Sequence, residues 1–233
     1  MPIPRLQLVT PPEVARPVIE VVQAALDAGA PWLQIRTKEA TDRARLDHAA
    51  ALVERCRAAG AIYLVNDRVD IALSVGAHGV HLGDADLPPA TARRLLGPDA
   101  LIGVTCRDPG AARRAEAAGA DYVGAGPTYP TTTKAGLPPP LGPRGIEAIA
   151  STVGIPVIAI AGVTVERVPE LLDAGAWGVA VVGAVFSASD PPAAVRDLLA
   201  ALGRPAQHQP AGSSSRPSGS SSRPAGGNGG SRS

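Results

Sequence analysis

Five charged side chains have the types and spacing to do chemistry together. Arg36 and Lys38 stand two apart in QIRTK, and Lys134 closes the threonine run in GPTYPTTTKAG. Lys38 and Lys134 are the only lysines in a chain whose other basic residues are all arginine. Asp67 ends VND and Asp86 ends HLGDAD. Carboxylates are hard oxygen donors that suit Mg²⁺, which takes one or two of them and fills its shell with water and phosphate oxygens. Arginine and lysine then hold the remaining phosphate charge. Together these parts fit a diphosphate. The threonines ahead of Lys134 add hydroxyl donors without adding charge. A second anion site is expected at the glycine turns of IAIAGVTVE and VAVVGAVFS, where Gly162 and Gly183 let backbone N–H groups approach a phosphate. No histidine–serine or cysteine–histidine pair accompanies this set, which argues against acyl transfer.

These residues need a scaffold that brings distant segments to one edge. Five segments supply its repeat: DAGAPWLQIR, AAGAIYLVND, SVGAHGVHLG, AAGADYVGAG and DAGAWGVAVV. Each is a Gly-Ala dipeptide followed by a short apolar run, and most follow an Ala/Leu/Arg stretch of helical period. The pattern predicts a helix, a glycine in the left-handed C-terminal position, then a buried strand. Three further apolar runs complete eight strands, at 6–9, 32–36, 62–66, 79–82, 101–105, 122–125, 156–160 and 178–182. A last helix is expected near 190–202. Eight evenly spaced strand–helix units, with no Gly-x-Gly-x-x-Gly after the first, predict an α/β fold of the (β/α)8 TIM-barrel type rather than an open doubly wound sheet. In such a barrel the working residues sit at the C-terminal ends of the strands. Thr10, Gln34, Arg36, Lys38, Asn66, Asp67, His81, Asp86, Thr105, the threonine loop, Gly162, Val182 and Gly183 all lie at or just beyond those ends.

Composition narrows the field. With 45% hydrophobic residues but only 3% aromatic, the core is aliphatic. A net charge of +1 gives no footing for nucleic acid or a membrane surface. Cys56 and Cys106 lack metal-ligand spacing and imply no disulfide framework. The N-terminal MPIPRLQLVT has no apolar signal region and no run is long enough to cross a bilayer, so a cytoplasmic location is expected. One catalytic domain over 1–203 is predicted, with a Gly/Ser/Pro/Arg-rich disordered tail over 204–233. Of the histidines, His81 is read as buried and structural, and His48 and His78 as surface residues.

Seven motifs in chain order, QIRTK, VND, HLGDAD, GVT, GPTYPTTTK, AGV and GAWGVAVVGAV, resemble the thiamine-phosphate synthase family over about residues 5 to 200. That family joins a pyrimidine diphosphate to a thiazole phosphate, giving thiamine phosphate and pyrophosphate, with Mg²⁺. The resemblance implies that Gln34, Ile35, Arg36, Thr37, Lys38 and Asn66 contact the pyrimidine diphosphate. Asp67 and Asp86 would ligate Mg²⁺, and Thr105 and Lys134 would complete the diphosphate grip. Thr131 and Thr133 would hydrogen-bond the thiazole phosphate, with Thr132 in the same substrate-binding run. Gly162, Val182 and Gly183 would cradle that phosphate. Arg36, Lys38 and Lys134 would be the catalytic cations. Four positions depart from the family pattern: Thr105 for serine, Asp84 for glutamine, Ala161 for glycine and Gly183 for serine. A thiazole tautomerase on the same barrel is the alternative, but it would not need the diphosphate grip.

Overall fold

The structure, a computed structural model, describes residues 2–12, 16–37, 40–131 and 136–203. Eight parallel strands close into a barrel in sequence order. They are β1 (Leu6–Val9), β2 (Trp32–Ile35), β3 (Ile62–Asn66), β4 (Gly79–Leu82), β5 (Leu101–Cys106), β6 (Tyr122–Ala125), β7 (Val157–Ile160) and β8 (Gly178–Val181). The predicted bounds hold to within one residue. Closure comes from β1 lying beside β8, with Leu8 opposite Val181. The barrel occupies the part of the chain expected to fold; the segment 204–233 lies outside the described residues.

Helices α1 (Arg16–Asp27), α2 (Asp42–Ala58), α3 (Val69–Val75), α4 (Pro89–Leu96), α5 (Pro109–Ala117), α6 (Gly142–Ala150), α7 (Val168–Asp173), α8 (Gly183–Phe186) and α9 (Pro191–Leu202) surround the strands. The helix near 190–202 is α9. The short α8 was not predicted, because a single turn carries no readable period.

The Gly-Ala repeat works as a helix stop at all five positions. Gly29, Gly60, Gly76, Gly119 and Gly175 each have positive φ. The alanine that follows sends its N–H back to a carbonyl five residues earlier, as in Ala61 to Cys56 at 2.8 Å and Ala176 to Leu171 at 2.9 Å. This is the Schellman arrangement, and it turns the chain from helix directly into strand. Alanine suits the second position because most of these residues are buried, Ala176 at 1% exposure among them.

Strand alternation sorts the side chains into two layers. Val9, Trp32, Leu64, Tyr122, Ile158 and Ala180 fill the barrel interior. Their neighbours Leu8, Leu33, Ile35, Val65, Val123 and Val181 pack outward against the helices. Both faces are therefore buried, which is why the strands read as continuous apolar runs. Among the described residues no helix is long and apolar enough to cross a membrane.

Among the described residues, two other than glycine have left-handed backbone, Asp67 at φ 63° and Ala161 at φ 76°. Aspartate visits this region at modest cost, whereas alanine has no side-chain hydrogen bond to offset it. Ala161→Gly is expected to stabilise the fold by about 1 kcal/mol, after allowing for the greater freedom of glycine in the unfolded chain. Urea unfolding checks this, and a loss of stability would show that the left-handed alanine carries no strain.

Candidate active site

The strand ends assemble the predicted polar rim on a network of cross-strand bonds. Thr10 is buried at 1% exposure beyond β1, and its Oγ1 accepts from the Arg36 N–H at 2.8 Å. Gln34, 3% exposed on β2, donates from Nε2 to Asn66 Oδ1 on β3 at 2.7 Å. This bond fixes the orientation of both amides before any ligand arrives. Arg36 is half-buried beside Asp67. Burial pulls its guanidinium below the ordinary value, and the Asp67 carboxylate pushes it back up. It stays a cation at any physiological pH. The Ile35 side chain packs outward into the helix layer, so its inward contribution is backbone.

Asp67 and Asp86 line one cavity of about 320 Å³, together with Thr37, Arg45, Asn66 and Arg68. The turn holding Asp67 is fixed by its own N–H, which donates to His81 O at 2.8 Å. Asp67 is not the cap of α3. Arg68 occupies that position, without a side-chain cap bond. Asp86 is oriented by the Gly83 N–H, which donates to its Oδ2 at 2.6 Å. Arg68 faces the same cavity, but its guanidinium is taken up by Asp70, at 2.8 and 2.5 Å, and by Asp42. Asp84 is exposed in the turn before Asp86. Two carboxylates on one cavity wall fit Mg²⁺, which completes its shell with water and phosphate oxygens. Among the described residues they form no group of three with another His, Cys, Asp or Glu.

His81 lies beneath the rim, buried as expected. Its Nδ1 is 2.8 Å from Tyr122 Oη and its Nε2 is 2.9 Å from Thr105 Oγ1. Burial pushes its pKa down to about 4, against an opposing pull from the Asp86 charge. The ring is therefore neutral at pH 7. Burial also pushes the thiols up, Cys56 to about 12 and Cys106 to about 11. Neither is a ready nucleophile. His48 and His78, expected at the surface, are both partly buried instead. His78 Nδ1 accepts from the Tyr63 N–H at 3.1 Å, since the turn before β4 folds back on β3.

The base of the threonine loop is pinned from both sides. Thr128 N–H donates to Ile160 O at 2.8 Å and Tyr129 N–H to Ala161 O at 3.1 Å. Arg167 lies over the Tyr129 ring at 4.2 Å, and the Tyr129 hydroxyl donates to Glu170. Arg107 donates to Gly126 O at 2.9 Å and Pro139 O at 2.8 Å. Gly162 packs so closely here that a Cβ on it would fall 2.6 Å from Pro130 O. Thr131 continues from this base. Lys38, Thr132, Thr133 and Lys134 lie outside the described residues. Val182 and Gly183 form the turn from β8 into α8 and border a second, largely apolar cavity of about 360 Å³.

The sequence reading missed four residues near the site: Tyr122 and Gln7 inside the barrel, and the arginine anchors Arg107 and Arg167. One signal was available. Gly103 and Gly124 interrupt otherwise apolar strands, and a strand glycine marks close approach by another group.

Comparison with known proteins agrees with this architecture. A family model described as thiamine monophosphate synthase matches residues 6–185. The thiamine-phosphate synthase of Salinispora tropica is 47% identical over 201 residues, covering 85% of this chain and 97% of that protein. The thiamine biosynthesis bifunctional protein ThiM/ThiE of Symbiobacterium thermophilum is 49% identical over 180 residues, 77% of this chain but only 38% of that longer protein. Among solved structures, the thiamine phosphate pyrophosphorylase of Pyrococcus furiosus superposes with a TM-score of 0.77 at 35% identity, over 85% of this chain and 95% of that one. The chain belongs to the thiamine monophosphate synthase family.

Proposed function

We propose that this chain makes thiamine phosphate by joining a pyrimidine diphosphate to a thiazole phosphate with release of pyrophosphate. The observation that carries the reading is the shared cavity of Asp67 and Asp86, with Arg36 beside Asp67. It pairs metal-binding oxygens with a permanent cation, the combination a diphosphate requires.

The chemistry is a substitution at the CH₂ carbon of the pyrimidine. Its C–O bond breaks and the electron pair leaves with the diphosphate. The amino group of the ring stabilises the cation left behind, so bond breaking runs ahead of bond making. The thiazole nitrogen then donates its lone pair to form the C–N bond. That nitrogen carries no proton, so no general base is required. The neutral, hydrogen-bonded His81 and the un-ionised thiols fit a site without one.

Each residue then has one task. Gln34 and Asn66, fixed by their mutual bond, orient the pyrimidine. Arg36, Lys38 and Lys134 take up the charge that grows on the leaving diphosphate, and Thr105 donates a hydrogen bond to it. Asp67 and Asp86 would hold Mg²⁺, which supplies further neutralisation of that charge when bound. Ile35 and Thr37, on either side of Arg36, contribute backbone and hydroxyl contacts. Thr131 and Thr133 grip the thiazole phosphate, with Thr132 in the same substrate-binding run and Gly162, Val182 and Gly183 offering backbone N–H groups to it. Most of the rate enhancement then comes from positioning two substrates and stabilising one leaving group.

The test is direct assay of the purified protein with both substrates and Mg²⁺, following thiamine phosphate and pyrophosphate together. Lys134→Ala is expected to lower turnover about 100-fold or more, and a chelator to abolish it until Mg²⁺ is restored. Absence of product from the folded parent enzyme would overturn the proposal.

A further inference from the structure

The Thr105 hydroxyl rests on polar groups that no simple barrel core needs. Below it, His81, Tyr122 and Gln7 run through the interior of an otherwise apolar barrel. Thr105 Oγ1 meets His81 Nε2 at 2.9 Å, His81 Nδ1 meets Tyr122 Oη at 2.8 Å, and Gln7 Nε2 meets Tyr122 Oη at 3.3 Å. Space for the two rings is cut from the sheet. A Cβ on Gly103 would lie 2.0 Å from Tyr122 Cζ, and one on Gly124 would lie 2.9 Å from His81 Cε1. Trp32 holds the Tyr122 ring edge-on, with centroids 4.9 Å apart.

We propose that Gln7, Tyr122 and His81 are positioning residues that set the direction of the Thr105 hydroxyl, so that it presents its proton, and not its lone pairs, to the diphosphate. The function assigned to this relay rests on the reading of Thr105 as a diphosphate contact.

The direction follows from what each group can do. Among the described residues, Tyr122 Oη has two partners, the Gln7 amide nitrogen and His81 Nδ1. An amide nitrogen donates and does not accept. Tyr122 is fully buried, so its own proton needs an acceptor, and His81 Nδ1 is the one in reach. A neutral imidazole that accepts at Nδ1 carries its proton on Nε2. Nε2–H therefore donates to Thr105 Oγ1. The threonine proton is then left to point away from the ring, into the barrel mouth where Thr105 is exposed. A phosphate oxygen has no proton to give, so it needs a donor there. The reverse order would strand the Tyr122 proton in the interior and turn only lone pairs toward an anion. Serine or threonine serves equally at position 105, because only the hydroxyl is used.

The test uses the full chain with ¹⁵N-labelled histidine. A long-range ¹H–¹⁵N spectrum reads the tautomer of each ring, and His81 is assigned by its loss in His81→Gln. The expected result is an unprotonated Nδ1 and a protonated Nε2 at pH 7. A proton on Nδ1 overturns the relay. Kinetics then test its use. Thr105→Val is expected to lower kcat/KM about thirtyfold, with activity kept by Thr105→Ser, and Tyr122→Phe to lower it about fivefold. In the Thr105→Val background, Tyr122→Phe is expected to have no further effect, since the two act through one hydroxyl. An undiminished Tyr122→Phe effect in that background overturns the relay and leaves the Thr105 contact standing. A Thr105→Val enzyme as active as the parent overturns the contact itself, and with it the relay's purpose, whatever the tautomer.

Discussion

Asp67→Asn is expected to lower kcat/KM by about 10³ while leaving the fold at least as stable as the parent. The substitution keeps the size of the side chain and removes its charge. Asparagine tolerates the left-handed backbone at φ 63° as well as aspartate does, so the turn after β3 survives. The N–H bond from this residue to His81 O is backbone and is unaffected. What disappears is an anionic oxygen on the cavity wall that Asp86 shares. A loss of 10³ corresponds to about 4 kcal/mol of transition-state stabilisation, the scale of one preorganised charge contact in a site closed to water. Asp86→Asn is expected to fall comparably, because its amide oxygen can still accept from Gly83 N–H and hold the loop. Steady-state kinetics at saturating Mg²⁺, run beside urea unfolding, separate function from stability. Variants within tenfold of the parent would remove both carboxylates from the metal site.

A large cost in stability is expected at Gly103, where alanine should cost about 3 kcal/mol or more. Its Cβ would stand 2.0 Å from Tyr122 Cζ and 2.3 Å from both Cε1 and Oη. No real Cβ sits so close, so the ring must move. Tyr122 has little room to do so, since Trp32 packs against it and the residue is fully buried. For a domain of this size, about 3 kcal/mol lowers the melting temperature by about 6 to 12 °C. The displaced hydroxyl would also lose His81 Nδ1, coupling the packing defect to the rim. Thermal and urea unfolding of Gly103→Ala measure this, and a cost below about 1 kcal/mol would mean the interior repacks freely.

The barrel and the membership of its rim were legible in the sequence because they rest on local rules. A helix that stops at a left-handed glycine, followed by a buried run, is decided within a dozen residues. Five such units, and three further apolar runs between them, placed the strands to within one residue. The rule that chemistry follows the strands then placed Gln34, Arg36, Asn66, Asp67, Asp86 and Thr105 on one edge. Which of these touch was not legible, since contact depends on register between strands far apart in the chain. The Gln34–Asn66 bond crosses from β2 to β3, and the Thr105–His81–Tyr122 chain spans β5, β4 and β6. Charge availability was equally hidden. Arg68 stands next to Asp67 in sequence and lines the same cavity, yet Asp42 and Asp70 hold it. Sequence by itself determined the fold, the edge and the kinds of groups on it, because backbone preference and hydrophobic period act over short distances. Only the tertiary structure decided which hydroxyl is oriented, which carboxylates share a cavity and which cation is already neutralised, because those depend on partners that the barrel's closure brings together.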